Sequence, residues 1–485
     1  MIRHVGLGGM IALGVVAVAE VVRAAAGDEI PTRGSAAPDT AALAAQVKEL
    51  MVKGGVPGLA VAVLQDGKPV WSAGFGVASA DTGQPVTTDT VFEAASLGKP
   101  VFAYAVMRLV ERGEFDLDRP LAVYLPNPDV RNDDRIRRVT ARMVLSHTAG
   151  FPNWRHGKEL TIEFEPGERF GYSGEGYVYL QKVVEAVTGQ GLDDLVRREV
   201  FAPLGMKASS FVWRPEYDRT AAVGHDYLQL PVAKAKPTAA NAAASLHTTV
   251  NDYARFVAEV LRPTLLKPST VAAMLKPAVE VQKDLSWSLG WGLERSGERR
   301  LLWHWGDNDT FRSFVVADRE AGSGMVVLTN SENGLSIAEP IVSAVVPGPH
   351  PAFAWLDVDR YDSPARTIRE RLVRAGVANG EHGIYRTLGE LEATFPPAAF
   401  SESLLNRIGY ELLAKKQPEA AVMVFERNAK LYPKSWNVYD SLAEAHAANG
   451  ELRLAISLYE KSLKLNPANE NAKSAIRQLK EALHR

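Results

Sequence analysis

The sequence is that of an α+β protein: an antiparallel β-sheet flanked by helices, with a helical subdomain, followed by an all-α repeat domain. Three observations point to this. Strand-like runs stand at both ends of the first 346 residues, with helical stretches between them. The chain changes character after Val346. Near the C-terminus residues recur at an interval of 34. A chain of 485 residues is also too long for one ordinary core, so two or more domains are expected.

The N-terminus has a short basic start, Arg3 and His4, and an apolar run from Val5 to Ala19. Small-x-small sites follow at Ala17-Val18-Ala19 and Ala24-Ala25-Ala26. This is the layout of a secretory signal peptide over residues 1–26. The run is shorter than the ~20 apolar residues of a spanning helix. Cleavage is therefore expected, with export to the periplasm or medium and no stable membrane span afterwards. Residues 27–40 are rich in Pro, Gly, Ser and Ala and read as a flexible leader.

The first domain is expected over 41–346. Val47 to Val52 open a helix, and "GLAVAVLQDGKPVWSAGFGVA" alternates around Asp66-Gly67, a hairpin signal. Helix returns at Ser96. Arg119 to Pro215 mixes short helices with Pro/Gly turns, and Val250 to Leu261 is helical with Thr249 as cap. Three strand-like runs close the domain: "RRLLWHWG", "FRSFVVAD" and "GMVVLTN". Strands at both ends imply a sheet joined by the two terminal parts.

Residues 347–400 read as a linker, beginning "PGPHPAF", and a helical adaptor from Ser363 to Thr394. Beyond it Pro433/Pro467, Ala421/Ala455, Phe425/Tyr459, Leu431/Leu465 and Gly409/Ala443 share one register. Small residues at helix crossings, an aromatic plug and a terminal proline make 401–485 resemble tetratricopeptide repeats, with the 363–394 helices as a cap. Such repeats imply a protein partner; a plain pair of helical hairpins without a ligand is the other reading.

Composition narrows the function. Apolar residues make up 46% and charged residues 23%, as in soluble globular proteins. A net charge of −2 gives no reason to expect nucleic acid or an acidic membrane. The absence of cysteine excludes disulfides, thiol catalysis and zinc–thiolate sites. None of the ten histidines shows a spacing such as His-Glu-x-x-His, so no metal and no cofactor are assigned.

The chemistry begins at "FEAASLGK". Ser96 and Lys99 lie three residues apart, on one side of a helix start. A lysine one turn from a serine can serve as its base if burial lowers its pKa toward neutrality. The serine also gains from the positive end of the helix dipole, and its own N–H can hold an oxyanion. The plain alternative is a capping serine and a solvated lysine.

Context adds a family. "GVPGLAVAVLQDGKPVWSAGFGVA", "FEAASLGK", "GEFDLDRPLAVYLP", "RMVLSHTAGF", "FEPGERFGYSGEGYVYLQKVVEAVTGQ", "SLHTTVNDYARFV" and "WHWGDN" occur in order across residues 45–335. Together they resemble the serine β-lactamase-related family, which includes class C β-lactamases, D-Ala-D-Ala carboxypeptidases and esterases. The resemblance implies a β-lactamase/transpeptidase-like fold and an acyl-enzyme mechanism. It makes Ser96 the nucleophile, Lys99 its proton acceptor and Tyr172 the group that carries the proton to the leaving atom. A phenol near cations is expected to have a depressed pKa. His304 falls in the third motif and is expected to hydrogen-bond Tyr172 or a substrate acceptor. Gly306 is expected to let substrate lie against the strand edge, and the N–H groups of Ser96 and Asp307 to form the oxyanion hole. His147 resembles a scaffold position.

Two positions depart from the family pattern. The second motif, Tyr-x-Asn, reads Tyr172-Ser173-Gly174, so the asparagine amide that would meet the substrate is missing; Glu175 is a candidate substitute. The third motif has Trp305 where a Ser or Thr helps bind a substrate carboxylate. Weak or absent β-lactamase activity is therefore expected, and Gly174→Asn is expected to raise it. A Gly-x-Ser-x-Gly elbow fails at Glu175, and no βαβ series surrounds it. The competing class is an inactive hydrolase fold that binds through its repeats.

Overall fold

The computed structural model describes residues 39–127, 129–130 and 132–483. The expected signal peptide and nearly all of the leader lie outside the described residues. Among the described residues, no helix is long and apolar enough to cross a membrane.

Helix α1 (Thr40–Gly54) leads into β1 (Gly58–Gln65) and β2 (Lys68–Gly76). The hairpin between them turns at Asp66 and Gly67, both with positive φ (52° and 75°), the backbone a two-residue turn of this hand requires. These strands belong to an eight-stranded antiparallel sheet of order β2-β1-β12-β11-β10-β9-β8-β7. Strands β10 (Arg299–Asp307), β11 (Arg312–Asp318) and β12 (Ser323–Thr329) are the three runs read from sequence. β1 pairs with β12 from Leu59↔Thr329 to Leu64↔Gly324, so the two ends of the domain do meet.

The sheet extends beyond the sequence reading through β7 (Val279–Gln282), β8 (Leu285–Trp287) and β9 (Gly292–Ser296). They are three to five residues long, too short for a periodic pattern to stand out from the flanking turns. Two small sheets complete the strands: β3 (Phe92–Ala95) with β6 (Leu246–Thr248), and β4 (Gly224–His225) with β5 (Pro231–Val232).

Both faces of the large sheet are covered at β1, which explains why it is apolar from Gly58 to Leu64. Leu59, Val61 and Val63 face α1 and the short α5 (Ala338–Ser343) through Val47, Leu50 and Ile341. Ala60, Ala62 and Leu64 face the helical subdomain, which contains α2 (Gly98–Glu111), α3 (Gly174–Thr188) and α4 (Val250–Leu261). Thr249 caps α4, accepting from the Asp252 N–H at 3.2 Å.

The segment expected as a linker is folded. Helix α6 (Pro351–Trp355) packs on the sheet, with Phe353 stacked on Phe314 at 4.4 Å. His350 is buried and joins Glu294 at 2.6 Å. The Pro/Gly content that suggests a linker instead sets a tight turn into the core.

The C-terminal region is an extended array of helices. It begins with α7 (Pro364–Thr394), which breaks at Gly380 (φ 56°, ψ −141°). Helices α8 (Glu402–Ala414), α9 (Pro418–Leu431), α10 (Trp436–Ala448), α11 (Leu452–Leu465) and α12 (Glu470–Leu483) follow. A Cβ at Gly409 would lie 2.3 Å from the Phe425 ring, so the α8–α9 crossing needs glycine there. At the matching positions Ala443 and Tyr459 are both buried.

Arg369 on α7 ties this array to the sheet domain. Its guanidinium meets Glu332 at 2.9 Å and Glu411 at 2.7 Å, 4.2 Å above the Tyr227 ring. Lys415 adds a contact to Asp226 at 3.0 Å. Arg369→Met would leave two half-buried carboxylates without their cation, a change expected to cost about 2 kcal/mol. Calorimetry should then show a lowered first transition; an unchanged thermogram would show that the network does not hold the junction.

Candidate active site

Ser96 lies in the turn between β3 and α2. The residue before it, Ala95, has φ 50°, a left-handed conformation that costs an alanine on the order of 1–2 kcal/mol. The turn is held from outside: Tyr253 on α4 donates its hydroxyl to the Leu97 carbonyl at 3.1 Å. Ser96 does not cap α2, which has no side-chain cap. Its N–H has no hydrogen-bond partner among the described residues.

The Lys99 Nζ donates to Ser96 Oγ at 2.9 Å and to the Ala243 carbonyl at 2.7 Å. Ser96 Oγ donates to the same carbonyl at 3.2 Å. Lys99 is completely buried and has no carboxylate partner among the described residues. Burial lowers its pKa to about 7, so the surface-lysine reading fails and a large neutral fraction exists near pH 7. The Ala243 carbonyl, missed in the sequence, is fixed by its loop. Gln181 Oε1 accepts the Ala242 N–H at 2.9 Å, and Asn241 Oδ1 accepts the Ala243 N–H at 2.8 Å.

Tyr172 comes to the same place. Lys99 Nζ is 4.8 Å from the centre of its ring. The ring is half-buried, but its hydroxyl is buried and is aligned for a regular hydrogen bond with no described residue. Burial raises the phenol pKa, and the nearby Ser96 hydroxyl opposes that rise only in part. The expected depression is therefore corrected: desolvation outweighs the Ser96 hydroxyl, and Tyr172 is a protonated phenol at neutral pH.

Two histidines complete the floor. His304 is buried, and burial followed by the Lys99 charge lowers its pKa to about 3. It is neutral at working pH. Its Nδ1 lies 2.8 Å from the Trp305 carbonyl, so Nδ1 carries the proton and Nε2 is a bare acceptor. Nε2 makes no hydrogen bond with a described residue, so the expected bond to Tyr172 is not formed, and as an acceptor it cannot donate to a substrate. His147 has the opposite tautomer, because its Nδ1 accepts the Ser173 N–H at 3.0 Å. Its carbonyl accepts the Gly171 N–H at 2.8 Å, and its ring lies 4.3 Å from that of Tyr172. His147 is thus a scaffold residue, as its position suggests, and the scaffold it forms brackets Tyr172 on both sides.

The other predicted positions divide. A Cβ at Gly306 would meet the Ala94 carbonyl at 2.2 Å and Ser313 Oγ at 2.1 Å. Glycine is needed there so that β10 can pass against the segment leading to Ser96, rather than to seat substrate. Asp307 follows at once, and its carboxylate is ion-paired with Arg312. Trp305 packs on Tyr172 at 4.7 Å. Glu175, the candidate substitute for the missing amide, is already used: it accepts the Arg155 N–H at 3.2 Å and pairs with the Arg155 guanidinium at 3.5 Å.

Gly174 shows what replaces the amide. A Cβ there would lie 2.6 Å from the Trp154 indole, which fills the space a side chain would need. The expected gain from Gly174→Asn is corrected accordingly. Alone the substitution forces Trp154 aside, and β-lactam turnover is expected to stay within about twofold of wild type. A larger rise, measured by nitrocefin hydrolysis, would show that the indole yields. Trp154 carries no motif signal of its own in the sequence.

Among the described residues, no group of three or more His, Cys, Asp or Glu is placed to hold a metal ion.

Known proteins share this architecture. Penicillin-binding protein 4 of Amycolatopsis lactamdurans is 31% identical over 268 residues, covering 49% of this chain and 70% of that protein. Protein flp of Staphylococcus aureus (strain N315) is 22% identical, covering 57% of this chain and 60% of its own length. Among solved structures, the octameric penicillin-binding protein homologue from Pyrococcus abyssi superposes with a TM-score of 0.55 at 24% identity, over 70% of this chain and 82% of that one. The β-lactamase/D-alanine carboxypeptidase from Pseudomonas syringae superposes with a TM-score of 0.57 at 18% identity, over 64% and 99%. At these identities the superpositions show the fold alone. The family described as Beta-lactamase matches residues 43–343, which include the Ser96 turn, Tyr172 and β10, and the chain belongs to that family.

Proposed function

We propose that this chain is an exported serine hydrolase that forms an acyl-enzyme on Ser96 and hydrolyses ester or amide substrates. The observation that carries the reading is a buried amine, with no acidic partner among the described residues, 2.9 Å from the Ser96 hydroxyl. The neutral form of Lys99 has a lone pair to take the Ser96 proton as Oγ attacks the substrate carbonyl. The oxyanion that forms is held by the N–H groups of Ser96 and Asp307. Collapse breaks the bond to the leaving atom, which receives a proton from Tyr172; Lys99 returns a proton to the phenol. Water then attacks the acyl carbon, gives its proton to the same pair and restores the Ser96 hydroxyl as the acid departs. His304 Nε2 is available to orient the Tyr172 hydroxyl.

Peptides ending in D-amino acids fall within the amide class, and β-lactamase activity is expected to be weak or absent. The C-terminal helices act in this reading as tetratricopeptide-type repeats with a protein partner. The competing reading is an inactive fold that binds through those repeats. A fluorophosphonate probe separates the two. Labelling of the wild type that disappears in Ser96→Ala supports the hydrolase, and no labelling of folded protein supports the binding module.

A further inference from the structure

We infer that the site selects neutral acyl groups with an apolar body, and that the indoles of Trp154 and Trp305 set this preference. The inference rests on the acyl-enzyme reading of Ser96 given above.

The segment that carries the first indole is anchored on both sides of it. The segment Pro152–Arg155 lies across the start of α3. The Pro152 carbonyl accepts the Ser173 hydroxyl at 2.8 Å, and Asn153 Oδ1 accepts the Gly174 N–H at 3.0 Å. The Arg155 N–H closes the clamp on Glu175 at 3.2 Å. Trp154, between these anchors, occupies the direction a side chain at 174 would take, two residues past Tyr172. The second indole lies against the phenol from β10. Trp305 is 4.7 Å from the Tyr172 ring and is backed by Trp355 at 5.5 Å. Both indoles are half-buried, whereas the neighbouring Trp287 and Trp303 are buried in the core.

Apart from the Lys99 amine beside Ser96, the charged side chains nearby are already engaged. Arg312 pairs with Asp307, and Arg155 with Asp129 and Glu175. Asn308 Nδ2 is held by Glu93 and the Ala244 carbonyl, both at 3.1 Å. An anionic acyl group would meet carboxylates at Asp307 and Glu93 with their partners occupied. An acylamino group would lose its hydration against indole faces that offer its carbonyl and N–H little in return. An alkyl or aryl group loses nothing polar on the same surface and gains burial.

The test uses the full chain and three 4-nitrophenyl esters that share a leaving group: butyrate, N-acetylalaninate and hemisuccinate. Values of kcat/KM are normalised to the hydroxide-catalysed rate of each ester. Wild type is expected to favour butyrate over each of the others by at least about tenfold. Trp154→Ala and Trp305→Ser are each expected to narrow that ratio by at least about threefold. Equal normalised values for the three esters in wild type overturn the inference without recourse to any variant. A wild-type preference for butyrate that neither substitution narrows overturns the assignment to these indoles. If the fluorophosphonate labels Ser96 while the profile is flat, only the present inference fails. If there is neither labelling nor turnover, the acyl-enzyme reading fails and takes this one with it.

Discussion

Ser96→Ala is expected to lower ester turnover by at least about a thousandfold. Without Oγ no covalent intermediate can form, and what remains is attack by water on a carbonyl polarised by two N–H groups. The fold has little at stake in this change. Ser96 is half-exposed, caps no helix, and contributes two hydrogen bonds to a cluster that keeps the Lys99–Ala243 contact without it. Stability should move by no more than about 1 kcal/mol. The check is 4-nitrophenyl butyrate hydrolysis beside a thermal melt. A folded variant within about tenfold of wild type would show that the reaction does not pass through this hydroxyl.

Lys99→Met separates activity from stability. Turnover should fall by at least about a hundredfold, because among the described residues the Lys99 amine is the one base hydrogen-bonded to Oγ. The melting temperature should rise. Burial lowers the Lys99 pKa from 10.5 in the unfolded chain to about 7 in the folded protein. Between those values the unfolded chain holds the extra proton, so the lysine's contribution makes the fold less stable as pH falls through that window. Methionine has a similar reach and no charge to desolvate, and it removes this penalty. The rise should be larger at pH 6 than at pH 9. Melts at both pH values check this; a melting temperature that falls at pH 6 would mean that the amine supports the fold.

The parts of the fold legible in the sequence are those whose causes are local. Asp66-Gly67 announces a hairpin because few other pairs accept two positive φ values in succession. Thr249 announces a helix start through its own side chain. The three long strands are long enough to be seen, whereas β7–β9 are too short to show a pattern and are added in turn, β9 on β10, β8 on β9 and β7 on β8. The segment from 347 to 356 shows the reverse error. Its prolines and glycine suggest a linker, but the carboxylate of Glu294 and the face of Phe314 capture it from a distance.

The same division runs through the site. The spacing of Ser96 and Lys99 is visible in eight residues, but the burial that makes the amine neutral is contributed by α2, α3 and the Ala243 loop together. The motif places the Tyr172 phenol near an amine and so suggests a depressed pKa, but the desolvation that raises it instead is not displayed in the sequence. Trp154 was invisible because it acts at Gly174 through space, from a loop twenty residues upstream.

The central claim is that burial makes Lys99 a base at neutral pH, and the rate of Ser96 modification reports it directly. The second-order rate constant for fluorophosphonate inactivation should be measured from pH 5 to 10. It is expected to rise to a plateau with one apparent pKa near 7. A rate that keeps climbing toward the ordinary lysine value of 10.5, with no plateau near neutrality, would contradict the account.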